Sequence, residues 1–208
     1  MNRYFYTIYF ISFFLISSCS RDLENKDKLL LKIEQFNLNH YSQNGSKLYY
    51  IETPYSVFNQ TEHTYLLNKT NIKFFDNEKV KYSVNSDSSK LINNRFIELK
   101  GNVEINEYNN NKTIIRSNKL FWEIDKSKFI LEGNVTLENN IINLNASKAS
   151  LDKKTDLIIF YNPVKYDYND ERKLKKYNIS SENAYYNIAT KDVIFKSLND
   201  KVKTKLFF

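Results

Sequence analysis

The sequence predicts an all-β fold built as one domain. Tyr and Phe, which favour strands, number 16 and 15 of the 208 residues. The phrase Leu99-Lys100-Gly101-Asn102-Val103 returns about 32 residues later as Leu131-Glu132-Gly133-Asn134-Val135. Apolar and polar residues alternate through both copies, which is typical of half-buried strands. No Pro/Gly/Ser-rich linker divides the chain, so we expect a single sheet.

Each copy of the repeated phrase presents one apolar face. These faces contain Ile97, Leu99, Gly101, Val103 and Ile105 in the first copy, and Phe129, Leu131, Gly133, Val135 and Leu137 in the second. A glycine on such a face leaves room for close backbone approach or for a guest molecule. A second phrase, a Ser followed by two strands, begins at Ser117, Ser147 and Ser181. Stacked copies must therefore share one buried face.

The N-terminus has the pattern of an export signal. Residues 1–18 contain one charge, Arg3, and an apolar run from Tyr4 to Ile16 that is too short for a spanning helix. Ile16-Ser17-Ser18 directly precedes Cys19, the only cysteine, which resembles a lipobox. We expect a lipoprotein signal peptide at 1–18 and acylation of Cys19. An uncleaved signal anchor and a plain secreted protein are the alternatives.

Residues 19–31 form a charged stretch that we interpret as a tether, followed by a β domain at 32–208. Asn44-Gly45 lies between two alternating runs, 32–41 and 48–51, and predicts a hairpin. Pro54 is expected to close the second strand. Further strands are predicted at 64–67, 71–75, 79–84, 95–105, 113–124, 128–137, 141–151, 157–161, 164–168, 180–188 and 192–196. No further strand is expected after Lys196.

The chain is mildly basic, with a formal net charge of +7. The densest basic cluster, Arg172–Lys176, lies in a polar connection and is either a solvated loop or a contact for an anionic surface. An exported protein is not expected to bind nucleic acid. A single cysteine allows no intramolecular disulfide, so the core alone must hold the fold.

The sequence offers little for catalysis or metal binding. His40 and His63 are far apart and have no cysteine companion, so we expect neither a metal nor a cofactor. Four carboxylates fall on the polar faces of predicted strands, where solvated surface is favoured over an acid/base pair: Glu98, Glu104, Glu132 and Glu138. Trp122 fits a core position better than a ligand platform. We therefore expect no enzymatic activity.

The order of these features resembles the LptC family of lipopolysaccharide-export proteins. The resemblance rests on the N-terminal anchor, on Phe36, Leu38, Tyr41 and Gly45 of the first hairpin, and on the repeated Gly-Asn-Val strands, and it covers roughly residues 30–196. It implies a twisted, open β-jellyroll on the periplasmic face of a membrane. Such a protein accepts lipopolysaccharide from an inner-membrane ABC transporter and passes it to a bridge jellyroll joined edge to edge. Well-known members keep a transmembrane helix, whereas this chain has a lipobox-like cysteine.

On this resemblance, the apolar faces of the two repeat strands, together with Trp122, line the lipid path. The last predicted strand, with Val193, Ile194 and Phe195, offers its backbone edge to the partner. Two other classes remain open: a lipid-anchored structural or adhesive β-repeat protein, and a secreted carbohydrate-active jellyroll with paired carboxylates on a concave face.

Overall fold

One antiparallel sheet accounts for nearly all of the structure, a computed structural model that describes residues 30–108, 113–126, 128–170, 175–199 and 201–207. The strands of the described residues are β1 Leu30–Tyr41, β2 Lys47–Asn59, β3 Thr64–Asp76, β4 Lys79–Ile92, β5 Phe96–Glu107, β6 Ile114–Glu123, β7 Lys128–Glu138, β8 Ile142–Asp152, β9 Leu157–Asp170, β10 Lys175–Asn187, β11 Val193–Lys196 and β12 Lys203–Phe207. The all-β prediction is confirmed. The predicted signal segment and Cys19 lie outside the described residues.

The strands lie in the sheet in chain order from β1 to β11. β11 pairs with residues 183–186 of β10, and β12 pairs with residues 176–180 along the same side of that strand. At the other end, β1 pairs with β2 alone among the described residues. Within the described residues the sheet is therefore open, with an unpaired backbone edge at each end, as the predicted open jellyroll requires.

A row of β-bulges crosses the sheet near the middle of its strands. The pairing register shifts there in each pair from β4–β5 to β8–β9. On β5 and β7 the bulge falls on the repeated Gly-Asn phrase, with φ of 75° at Gly101, 43° at Asn102, 76° at Gly133 and 49° at Asn134. An inserted residue bends its strand, so the repeated phrase marks a bend line in the sheet.

Two of the three serines that begin the second recurring phrase, Ser117 and Ser181, lie at register shifts on even-numbered strands. There, and at similar positions of β2 and β4, a hydroxyl donates a hydrogen bond to the carbonyl two residues later. These bonds join Thr53 to Tyr55, Ser86 to Ser88, Ser117 to Lys119, and Ser181 to Asn183. The Gly-Asn-Val phrase and the second recurring phrase therefore both contribute residues to the bend line.

The bend brings the inner faces of distant strands together. We call β2–β4 the first wall and β6–β9 the second wall. Tyr49 and Phe74 of the first wall pack on Trp122 of the second, with ring centroids 5.0 and 4.9 Å apart. Lys81 on β4 pairs with Asp156, in the turn after β8, at 2.9 Å. The apolar face of the sheet is thus enclosed between the two walls.

Strand bounds differ from the sequence predictions at both prolines. Pro54 does not end β2, which continues to Asn59, and Pro163 lies inside β9, where two separate strands were predicted. Pro163 falls at a register shift between β9 and β10, and Pro54 falls at a gap in the pairing of β2 with β3, so at both positions a missing N–H is tolerated. In the same way β3 is one strand rather than two, and β4 runs past Val84 to Ile92.

Two predicted boundaries at the chain ends also shift. β1 begins at Leu30, within the expected tether at 19–31. The tail beyond Lys196 forms β12, against the prediction that no strand follows. The side chains of β12 are all exposed, so burial left no periodic pattern by which its sequence could reveal it.

Side chains occupy the space beside Gly101 and Gly133, the two glycines at the bend, so this space is not open to a guest molecule. A Cβ on Gly133 would lie 2.9 Å from Nδ2 of Asn118, and one on Gly101 would lie 2.6 Å from Oδ2 of Asp87. The positive φ at both positions adds a backbone penalty for any other residue. Asn118 and Asp87 therefore occupy the space that the missing glycine side chains leave.

We expect Gly133→Leu to destabilise the fold more than Gly45→Leu. Gly45 has a φ of +84° but open space around it, so its substitution carries only the left-handed backbone cost of about 1–2 kcal/mol. Gly133→Leu adds the clash with Asn118. Urea denaturation of the two variants measures the difference; equal losses would show that contact with Asn118 is not tight.

Candidate functional site

The apolar side chains predicted to share one face all lie in the core. None is more than 3% exposed: Ile97, Leu99, Val103, Ile105, Trp122, Phe129, Leu131, Val135 and Leu137. Gly101 and Gly133 are half-buried at the bend, where a Cβ would meet the exposed side chains of Asp87 and Asn118 and not the core. The shared inner face is therefore confirmed, while its contact with lipid remains a prediction.

The same inner face extends well beyond the predicted residues. Strands of both walls contribute side chains that are at most 1% exposed, among them Ile51, Phe74, Val84, Leu91, Leu120, Leu144, Leu151 and Phe160. The alternation that revealed β5 and β7 is present in these strands too, although the Gly-Asn-Val phrase does not occur in them. The walls therefore meet over a long apolar interior.

Among the described residues, the side chains of the two walls fill this interior, since those named above are at most 3% exposed. A cavity of about 10 Å³ beside Ile105, Ile115 and Ile188 has room for about one water molecule. An acyl chain that enters between the walls must therefore separate them and replace contacts that they make with each other.

An aromatic cluster closes one end of the interior. We call Tyr49, Phe74, Trp122 and Phe129 the aromatic end; Phe74 lies edge-on to Phe129 with centroids 5.4 Å apart. Burial, and to a lesser extent Asp125, raises the pKa of Tyr49 to about 12. Trp122 Nε1 is buried and has no hydrogen-bond partner among the described residues. Sequence analysis placed Trp122 and Phe129 inward, but it assigned no face to Tyr49 or Phe74 and could not show that two distant strand pairs meet.

The turn between β8 and β9 lies over the aromatic end. Nζ of Lys153 is 4.1 Å from the Phe74 ring centroid and 5.9 Å from the Trp122 centroid. Asp156 of the same turn accepts hydrogen bonds from Lys81 and, at 2.9 Å, from the Tyr82 hydroxyl. Burial first, and then the neighbouring Lys81, lower the pKa of Lys153 to about 8. Sequence analysis missed this lysine, because nothing local marks it.

The four carboxylates that were weighed as an acid/base pair lie on the outer face with basic partners. Arg116 joins Glu104 at 3.1 Å and Glu138 at 2.5 Å, Lys148 joins Glu132 at 2.8 Å, and Lys100 joins Glu98 at 2.9 Å. The hydrogen bond from Lys148 lowers the pKa of Glu132. A general acid needs a raised pKa, so this arrangement favours solvated surface.

His40 has an aromatic partner at the aromatic end. His40 stacks on Tyr49, with ring centroids 4.7 Å apart. Within the described ranges no group of three His, Cys, Asp or Glu residues could hold a metal ion. Helices long and apolar enough to cross a membrane are also absent from these ranges.

The predicted partner edge, β11, has the expected alternation. Val193 and Phe195 pack against the core, whereas Ile194 is 58% exposed. Backbone N–H groups of Leu198 and Asn199 donate to Glu182, which fixes the turn towards β12. β12 pairs with the rest of the same side of β10 and not with β11, so the prediction that no strand follows was wrong, while the outer edge of β11 stays uncovered by it. In the described part of the chain, the outer edge of β11 has no strand partner.

Comparison with known proteins identifies the family of this chain. The crystal structure of LptH, the LptA homologous periplasmic component of the lipopolysaccharide transport device from Pseudomonas aeruginosa, is similar with a TM-score of 0.38 and 5% identity, over 61% of this chain and 77% of that one. No curated protein matches the sequence significantly. The sequence model of the family described as "Lipopolysaccharide-assembly, LptC-related" matches residues 5–165, from the N-terminal apolar run into β9. This chain therefore belongs to the LptC-related family of lipopolysaccharide-assembly proteins.

Proposed function

We propose that this protein carries lipopolysaccharide in the periplasm, holding the acyl chains between the two walls of its open jellyroll. It accepts the lipid from an inner-membrane ABC transporter and passes it to a bridge jellyroll joined edge to edge. The observation that carries the proposal is the long apolar interior of an open sheet in a chain of the LptC-related family. Photocrosslinking from inner side chains to lipopolysaccharide tests it.

The closed interior is compatible with this role. Acyl chains that enter between the walls exchange one set of apolar contacts for another, so little apolar surface returns to water. One polar link between the walls, the Lys81–Asp156 ion pair, is exposed in part: its side chains retain 35% and 22% of their accessible surface. A partly exposed ion pair contributes little to stability, so the loss of this pair opposes opening only weakly.

A lipid-anchored structural or adhesive protein is the second candidate, and the filled core favours it. A core that only stabilises the fold would look the same and would never contact lipid. Family membership favours transport, and contact between core and lipid distinguishes the two functions.

We further propose that Cys19 anchors the protein to the membrane by acylation. β1 begins at Leu30, so about ten residues would join the anchor to the sheet. Intact-mass analysis of the mature protein is expected to give a chain that begins at Cys19 and carries acyl groups. A mature chain that starts earlier, or lacks lipid, would replace this proposal with an uncleaved signal anchor.

For handover, we propose that the outer edge of β11 pairs with a strand of the bridge protein. Ile194→Pro removes one N–H and kinks the strand, and because Ile194 is mostly exposed, the fold should survive. The variant is expected to bind lipid but to lose the bridge protein in a pull-down.

Ile194→Ala is the matched control, because it removes the side chain and keeps the N–H; it should retain the bridge protein. If folded Ile194→Pro also retains it, the docking edge lies elsewhere, and the free edge of β1 at Ile33–Leu38 is the next candidate.

A further inference from the structure

The turn that covers the aromatic end holds a cation with no matching anion. Within the described part of the chain, no carboxylate pairs with Lys153. The nearby acid, Asp156, is engaged by Lys81 and Tyr82. Asp152 accepts a hydrogen bond from the backbone N–H of Lys154. The two aspartates of the turn, Asp152 and Asp156, thus bind other groups and not Lys153.

A purely structural role explains this lysine poorly. Its Nζ lies against three aromatic rings, at 4.1 Å from Phe74 and 5.9 Å from both Trp122 and Phe129. Ring faces attract a cation, but burial against them removes the water that would solvate it. Burial first, and then Lys81, lower the pKa of Lys153 to about 8. An apolar side chain would cover these rings without that cost.

The same cluster holds a second donor without an acceptor. Trp122 Nε1 is buried and unpaired among the described residues, and Trp122 is one of the rings beneath Lys153. Lys81, a second cation, is close enough to Lys153 to lower its pKa. The aromatic end therefore combines two neighbouring cations, an unpaired N–H and apolar ring surface.

We propose that Lys153 binds the phosphate of a lipid whose acyl chains enter between the walls at the aromatic end. The phosphate supplies the missing anion, and the chains take the place of the turn on the rings. As the phosphate also attracts Lys81, it weakens the Lys81–Asp156 pair that joins the turn to the first wall. This site rests on the proposed lipid-carrier function and assigns it an entry point.

The test uses quenching of Trp122, the single tryptophan of the chain. The full chain in neutral detergent is titrated with phosphatidic acid bearing brominated acyl chains, and separately with diacylglycerol bearing the same chains. Bromine quenches a tryptophan that it touches. We expect phosphatidic acid to quench Trp122 at concentrations at least tenfold lower than diacylglycerol does, and millimolar inorganic phosphate not to compete.

Lys153→Met is expected to abolish the preference while folding at least as stably, because it removes an unpaired cation from the rings. Lys154→Met is the matched control, since Lys154 is the exposed next residue of the turn, and it should retain the preference. Equal quenching of the wild type by both lipids, or a preference that persists in Lys153→Met, would overturn the site. Competition by inorganic phosphate would overturn its specificity for lipid.

These outcomes separate the site from the function on which it rests. Absence of quenching together with lipopolysaccharide crosslinks in the core would refute the entry point and leave the carrier function standing. Absence of both would refute the two together.

Discussion

Leu131→Asp is expected to remove most or all of the stability of the folded state. Leu131 is 0% exposed, and its cross-strand neighbours Leu120 and Ala149 are also buried. A carboxyl there must be protonated, which costs about 4 kcal/mol at pH 7 for a group of ordinary pKa near 3.9. Loss of the leucine packing adds about 2–5 kcal/mol. Together these approach the whole stability of a typical domain, about 5–15 kcal/mol.

The pH dependence identifies the cause. Burial raises the pKa of the introduced carboxyl in the folded state above its unfolded value. The loss is therefore smallest at acidic pH, where the carboxyl is protonated in both states, and grows as pH rises from about 4 to 7. Denaturant midpoints measured by circular dichroism at pH 5 and pH 7 should differ for this variant more than for the wild type.

Ile130→Asp is the matched control, because Ile130 is the adjacent residue on the outer face and is only half-buried. Its aspartate can reach water, so the variant should fold with a small loss that depends little on pH. If Ile130→Asp and Leu131→Asp lost the same stability, the assignment of the inner face of β7 would be wrong.

Strand parity was predictable from the sequence because burial on one face imposes a period of two. A shift of one residue would have turned Leu99 and Leu131 to solvent, so their inward direction followed directly from the alternation. The repeated Gly-Asn phrase also marked a structural feature correctly. The sequence did not show that the phrase bends the sheet through positive φ. It also did not show that Asp87 and Asn118 fill the space beside the glycines.

The aromatic end was not predictable, because it joins parts of the chain that no local pattern connects. Phe74 and Trp122 meet only because every strand between them bends along the same line. Lys153 looked like an ordinary turn residue, since its contacts come from three other strands. The strand ends predicted at the two prolines were wrong for a related reason: a proline that would end a regular strand is tolerated where the pairing of the strand is interrupted.

The function itself came from the resemblance and not from the chemistry of any residue. An inner face of Ile, Leu, Val and Phe is shared by lipid carriers and by ordinary sandwich cores. Even the structure shows a filled interior, so the two roles differ only in whether the walls open to lipid.

Site-specific photocrosslinking measures that opening directly. A diazirine amino acid of leucine size is placed at Leu131 in the full chain, and at Ile130 as the outer-face control. Both variants are checked for folding and then exposed to lipopolysaccharide before illumination. The carrier function predicts a lipopolysaccharide adduct from position 131 and little or none from position 130. A folded protein that gives no adduct at 131, or equal adducts at both positions, would contradict it.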